Sequence, residues 1–482
     1  MLTNSISFLL FFASCFIIYW FLPENKTIKN AFLLLANGIF YCFFDWHLLL
    51  LLLGSGSIIY YVGKQIQKNN ENDVKRTLYF WTGLLVSLGQ LVYFKYTNFF
   101  IESFVDFSTL LGYTLSLSTI KIIVPLGISY YTFKQVSYLI DINQESYDPS
   151  LDTLSSYLTY VTFFPTLLCG PIDRASDFLP QLHKNRSFNY DQVVKGFQQI
   201  VWGLFKKMVI ADNLGHYIDG IWGNYAEQNA STLVIVALLY VIQLYADFSG
   251  YSDMAIGVGR MLGLKVADNF NFPLFSLNIA DFWRRWHISL TSWVTDYVFT
   301  PLSFVWRKMG KLGLIIAIIL DFLIVGFWHG ANWQYIVYGL FHGLLFIPLI
   351  LLPNGMKQRE IKTYRIGLPV IGDIMRMALT FLLVAFSLIL FRAPSLIDAY
   401  HYISAIYSST IIDKPVFLNS SIATQTMLFL GLMLIIEIYW KRTHFLKIPY
   451  NSVALRFVLY LLFIGIIFIF SGEVEHPIYA FF

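Results

Sequence analysis

Charge is scarce in this chain. Lys, Arg, Asp and Glu together make up 13% of its 482 residues, against about 25% in a soluble domain. No polar region of domain length interrupts the apolar runs, so residues 1–482 read as one transmembrane domain rather than a string of soluble ones. Cysteine is also rare. Cys15, Cys42 and Cys169 lie in or beside apolar stretches, with no metal-ligand spacing and no disulfide pattern. They are expected to be buried packing residues, and no metal site is expected. No Lys or Arg precedes the first apolar run, Ile6 to Leu22, and no small-residue cleavage site follows it. It reads as a retained span rather than a removable leader. The net charge of +4 is small, and no nucleic-acid partner is expected.

What the chain has in abundance is apolar surface: 57% of residues are hydrophobic and 18% aromatic. Fourteen apolar segments run from 5–22 to 453–471, which makes this an all-α polytopic membrane protein. Residues 31–63 pose a problem of length. As one helix they would extend about 50 Å, too long for a hydrocarbon core of about 30 Å. A split at Phe44-Asp45-Trp46 gives a hairpin of two short helices. Charge agrees with the split. Loop 64–76 carries Lys64, Lys68, Lys75 and Arg76, whereas 101–120 carries no Lys or Arg. With the hairpin, loops 23–30 and 64–76 both face the cytoplasm.

The stretch 268–311 is too polar to span yet rich in aromatics. Within it, "NIADFWRRWHISLTSW" predicts an amphipathic helix. Asn278 is its N-cap, and Asp281 three residues on suits the helix dipole. Trp283, Trp286, His287, Leu290, Trp293 and Val294 recur at three- and four-residue steps and share its apolar face. Arg284 and Arg285 fall elsewhere.

Polar groups inside apolar segments are costly and usually face a cavity or a partner. "GFWHGANW", 326–333, places His329 and Gly330 within the apolar run 312–352, whose one charged residue is Asp321. Gly330 weakens the helix and lets something approach the backbone. Broken backbone at membrane depth is tolerated where protein buries it or water lines it. The expectation is a polar tunnel reaching the middle of the bilayer, with His329 in its wall as a neutral base. The alternative is a structural histidine bonded to a neighbouring carbonyl. His342 is expected to be structural. In "QLYADFSGYSDMAIGVGRMLG", 243–263, Asp247 and Asp253 flank Ser249, Gly250 and Tyr251 at a glycine break. Tunnel lining and a structural polar network are both open there.

"FWRRWHISLTSWVTDYVFTPLS" and "FWHGANWQYIVYGLFHG" resemble the signature regions of the membrane-bound O-acyltransferases. "DFSGYSDMAIGVGRMLG" and "NFNFPLFSLNIADFWRRWH" are similar to the bacterial branch of that family, which includes alginate and peptidoglycan O-acetyltransferases and teichoic acid D-alanyl transferases. "FKYTNFF", "VPLGISYYTFKQVSYLID", "FFPTLLCGPIDRASDFLPQL" and the terminal "PIYAFF" extend the likeness over nearly the whole chain. The resemblance implies a ring of about 11–14 tilted and re-entrant helices around a central funnel. It implies that His329 is the family's catalytic histidine and His287 its second one. One stretch departs from the alginate-type pattern: Thr295-Asp296-Tyr297 and Pro301-Leu302-Ser303-Phe304 stand where that type carries an arginine and a glycine pair. The departure bears on the acceptor and leaves His329 untouched.

The chemistry then expected is acyl transfer to a hydroxyl. His329 takes the acceptor proton or carries the acyl group, and His287 orients donor or intermediate. Asp247, Tyr251, Asp253, Trp328, Asn332 and Trp286 are candidate lining or binding residues. Arg284, Arg285, Arg307, Lys308 and Lys311 are candidates for the donor's phosphates, or ordinary positive-inside anchors. The donor is expected to be acetyl-CoA or another acyl thioester, with no tightly bound cofactor. Besides the lipid bilayer, the expected partners are an extracytoplasmic polysaccharide and a periplasmic SGNH-type acetyltransferase, in a bacterial inner membrane. The rival readings are a transporter or flippase for a lipid-linked sugar, and an acyltransferase acting on a lipid or protein hydroxyl.

Overall fold

Residues 31–63 turn where their length demands it. Asp45 adopts an extended backbone, and its Oδ1 accepts the N–H groups of His47 (2.7 Å) and Leu48 (3.2 Å). One helix, Lys26–Cys42, ends with Phe43 as its C-cap, and the Asp45 cap starts the next, Trp46–Lys68. The expected hairpin is therefore present. The computed structural model describes residues 3–115, 117–357, 361, 370–407, 409–416, 420–443 and 453–472; the terminal "PIYAFF" lies outside them. Among the described residues every regular element is helical, and seven helices are long and apolar enough to cross a membrane. Ile6–Phe21 and Phe457–Phe470 are shorter apolar helices.

Several of the fourteen segments are reorganised. Residues 121–141 enter their helix only at Ile128, and 152–170 break between Leu154–Thr162 and Phe164–Leu167, with Pro165 in the first turn of the second piece. The segments 231–249 and 252–264 are one helix, Ala230–Met261, so Gly250 is no break. A Cβ on Gly250 would lie 2.7 Å from the Gly203 carbonyl oxygen, and one on Gly203 would lie 2.5 Å from that of Gly250. The glycine pair lets two helix backbones touch. Cys15 and Cys169 are buried as expected, whereas Cys42 is exposed at the end of its helix.

The chain divides into two units. One comprises Met1–Gly196 and Ala255–Ala267, with Ala480–Phe482 beyond the described residues. Tyrosines dominate its interior: the rings of Tyr138 and Tyr157 stand 4.5 Å apart, and Tyr157 and Tyr160 6.2 Å. Lipid tails are as apolar as leucine, so such packing holds membrane helices by close contact rather than by expulsion of water. Two buried cations lock this unit: Lys29 Nζ donates to the Arg186 carbonyl (2.9 Å), and Arg186 donates to Tyr19 Oη and Asn30 Oδ1, each at 2.6 Å. The other unit comprises Phe197–Met254 and Asp268–Tyr479. It holds the helices Lys311–His329, Trp333–Leu351 and Ile371–Arg392 together with the irregular stretch 268–306. Every residue of the candidate site belongs to it.

Candidate active site

His329 is the last residue of Lys311–His329, not the middle of a span. About 27 Å of helix separates it from Lys311. The chain leaves the helix at Gly330 in extended conformation, with φ −167° and ψ 150°. Asn332 then caps Trp333–Leu351, its Oδ1 accepting the Trp333 N–H at 2.8 Å. What approaches the backbone at Gly330 is the Tyr335 ring: a Cβ there would lie 2.2 Å from Tyr335 Cε2. The His329 ring is 2% exposed. It packs against Trp328 (4.9 Å), Phe391 (5.1 Å) and Tyr338 (6.0 Å).

His287 lies where the predicted amphipathic helix breaks. That stretch forms two short helices, Ile279–Trp283 and Ile288–Val294, and His287 between them is left-handed, with φ 45° and ψ 51°. The start is as expected, with Asn278 Oδ1 accepting the Asp281 N–H at 2.8 Å. A left-handed non-glycine residue costs about 1–3 kcal/mol and persists where its surroundings enforce it. The enforcement comes from the segment 269–271. The Asn269 carbonyl accepts the Ile288 N–H (2.8 Å), and the Asn271 N–H donates to the Arg285 carbonyl (2.9 Å).

The side chain of Asn269 reaches the ring itself. Its Oδ1 is 2.9 Å from His287 Nδ1, 2.8 Å from Ser289 Oγ and 3.4 Å from the Ser289 N–H. A backbone N–H can only donate, so the atom facing all three is the oxygen. Nδ1 of His287 therefore carries the proton, and Nε2 of the neutral ring holds the lone pair. The ring is fully buried, on Phe248 at 4.7 Å and Trp328 at 5.9 Å. Burial pushes its basicity down, to a pKa of about 3. His287 and His329 thus both lie against Trp328, which is 5% exposed. Trp286 stacks on Phe282 (5.3 Å) and meets Phe270 edge-on (5.2 Å).

His342 has a different setting. Trp283 Nε1–H donates to its Nδ1 (3.2 Å), and its Nε2 is 3.0 Å from Ser387 Oγ. An indole N–H is donor only, so Nδ1 accepts and Nε2 donates. Ser387 passes its own hydrogen to the Val384 carbonyl at 2.7 Å.

The two aspartates of 243–263 are ion-paired. Lys207 Nζ lies 2.7 Å from Asp247 and 2.6 Å from Asp212, and Lys206 Nζ lies 2.6 Å from Asp253 and 2.8 Å from Ser249 Oγ. Gln199 donates to Asp253 at 3.0 Å, and Tyr245 Oη donates to Glu437 at 2.7 Å. All are buried. Both lysines sit in a π-helical turn, Phe205–Ala211, directly after the helix bearing Gly203. Of the two readings open from sequence, the geometry is that of a polar network. It braces one face of Ala230–Met254, while Tyr245, Phe248 and Ser252 face Trp286, His287 and Asn269 respectively. Tyr251 is buried on the same helix.

Residues 142–391 match the model of MBOAT, the membrane-bound O-acyltransferase family. The chain belongs to that family. It is 36% identical over 375 residues to the peptidoglycan O-acetyltransferase of Helicobacter pylori, covering 70% of each chain. It is 34% identical over 411 residues to the probable alginate O-acetylase AlgI of Pseudomonas aeruginosa, covering 85% of this chain and 75% of that one. It is 35% identical over 227 residues to the teichoic acid D-alanyltransferase of Bacillus subtilis, covering 46% of this chain and 57% of that one.

The matched region of this acyltransferase contains both His287 and His329. Of the cations considered for donor phosphates, only Lys311 is on the His329 helix. Lys311 donates to the Leu351 carbonyl (3.0 Å) and Arg284 to that of Met356 (3.2 Å), so both gather at the end of the helix pair remote from His329. Arg285 pairs with Asp281 at 2.9 Å, Arg307 lies 3.8 Å over the Phe304 ring, and Lys308 is exposed. Asn332 is an exposed cap rather than a buried wall residue. The residue that sequence reasoning passed over is Asn269. Its signal was present: a polar side chain in the aromatic run "NFNFP", close ahead of the His287 stretch.

Proposed function

We propose that this multi-pass acyltransferase moves an acetyl group from a cytoplasmic thioester, acetyl-CoA, to a hydroxyl of an extracytoplasmic polysaccharide. Delivery is direct or through an SGNH-type acetyltransferase on the far side of a bacterial inner membrane. The observation that carries the reading is the convergence of two buried histidines, 42 positions apart in the chain, on the indole of Trp328. The names of the relatives support the acceptor class: two act in O-acetylation, of peptidoglycan and alginate, and one in D-alanylation of teichoic acid.

His329 acts as general base. The acceptor hydroxyl gives its proton to the imidazole as its oxygen attacks the thioester carbonyl. The carbon–sulfur bond then breaks, and the departing thiolate takes the proton. No net proton is released and no resident cofactor is required. Such acid–base help is worth about 10²–10⁴ in rate. His287, with its lone pair at Nε2, orients the acceptor or the donor by accepting a hydrogen bond. Arg284, Arg307, Lys308 and Lys311 attract the anionic donor to the basic end of the helix pair. The donor must then move inward from that end for its thioester to meet His329 through a wet passage.

The test is transfer of labelled acetyl from acetyl-CoA by the purified protein in lipid nanodiscs, with glycan and lipid extracts counted separately. Label in glycan that disappears with His329→Ala is the expected result. Label in lipid changes the acceptor class, and transfer undiminished by His329→Ala rules out this mechanism.

A further inference from the structure

Asn269 engages three residues of the His287 loop. Its carbonyl holds the Ile288 N–H, and its Oδ1 holds the ring of His287 together with both donors of Ser289. Its Nδ2 donates to Ser252 Oγ at 3.2 Å, which ties the amide to Ala230–Met261 and prevents it from turning over. Asn269 is itself 1% exposed.

We propose that Asn269 is the positioning residue of the reaction centre. It sets the Nδ1–H tautomer of His287 and holds that residue in its left-handed conformation, so that Nε2 is the atom presented to the reaction. The inference rests on the reading of His287 as part of that centre. The chemistry explains why an amide stands here. A carboxylate at the same point would also hold Nδ1–H, but it would favour the imidazolium and consume the lone pair. A hydroxyl could donate instead of accept and leave the tautomer unspecified. An amide oxygen, oriented by a backbone N–H and by Ser252, accepts without adding charge. Among the groups facing the ring are Phe248 from Ala230–Met261, Trp328 from Lys311–His329, and Asn269, which also holds Ser289. No charged group contributes to its lowered basicity among the described residues.

The experiment is nitrogen NMR of ¹⁵N-histidine-labelled protein in nanodiscs, with the His287 signal assigned by its loss in His287→Gln. The same preparations are assayed for acetyl transfer from acetyl-CoA. Wild-type His287 is expected to be protonated on Nδ1 at neutral pH. Asn269→Ala should give mixed tautomers and lower kcat on the order of 10–100-fold, the range for removing a hydrogen bond that fixes a histidine tautomer, with KM little changed. Asn269→Asp, nearly isosteric and able to keep the fold where Ala does not, should raise the acid limb of the pH–rate profile by about one unit or more. A wild-type ring protonated on Nε2, or a tautomer unmoved in Asn269→Ala, overturns the proposal. Full activity in His287→Gln, with the tautomer shifting as described, overturns only the catalytic reading of His287.

Discussion

His287 and His342 are both completely buried in the same unit, yet they hold their protons on opposite nitrogens. Around His342 the partners are an indole donor and a serine that passes its hydrogen on, so both ring nitrogens join three helical elements. The backbone there is ordinary helix, Trp333–Leu351. His287 instead occupies a left-handed position between two short helices, and one polar neighbour fixes its tautomer. Burial alone therefore says little about a histidine's role. Backbone strain, and which nitrogen carries the proton, separate the bridging ring of His342 from the ring of His287.

The sharpest way to break this contrast is by substitution. His287→Gln is expected to lower acetyl transfer by roughly 10²–10³, whereas His342→Gln should leave kcat per folded molecule within about twofold. Equal losses would erase the distinction. Next in size is the ion cluster that braces the helix behind Phe248. Lys207→Met removes the buried cation that Asp212 and Asp247 share and should cost about 3–5 kcal/mol, read as a lower unfolding midpoint in detergent. His342→Leu strands the Trp283 N–H, while Ser387 keeps its bond to the Val384 carbonyl. It should cost about 1–3 kcal/mol with activity retained in the folded fraction.

A further effect is one of pH. The folded pKa of His287, about 3, lies below an unfolded value of about 6.5. Between those values the unfolded chain binds the extra proton. The stabilisation is complete above pH 6.5 and is lost as pH falls toward 3, by at most about 1.4 kcal/mol per unit. His287→Gln should flatten that slope between pH 6.5 and 4, and an unchanged slope would show that another group carries it.

Much of the helical framework was legible because apolar runs and caps are local signals. Asp45 and Asn278 cap where their side chains predict, and Gly330 ends its helix beside an approaching ring. Two features were hidden for the same physical reason, that a pattern of residue types does not report backbone direction. The 3.6-residue periodicity runs unbroken through Trp283, Trp286, His287 and Leu290, although the chain reverses its handedness at His287. Gly250 beside Ser249 and Tyr251 looks like a break, but its partner is Gly203 in a distant segment, and the helix continues. The role of Asn269 depends likewise on contacts with Ser252 and the His287 loop that only the fold brings together. His329 stood out in the sequence as an imidazole in an apolar run, but its place at a helix end is set by the Gly330 and Asn332 geometry.

The most direct measurement is single-turnover transfer of ¹⁴C-acetyl from acetyl-CoA to a glycan acceptor in nanodiscs, comparing wild type with His329→Ala at matched folded protein. A rate lower by about 100-fold or more is expected, with the variant's thermal unfolding close to wild type. Matching rates in the two proteins would contradict a chemical role for His329.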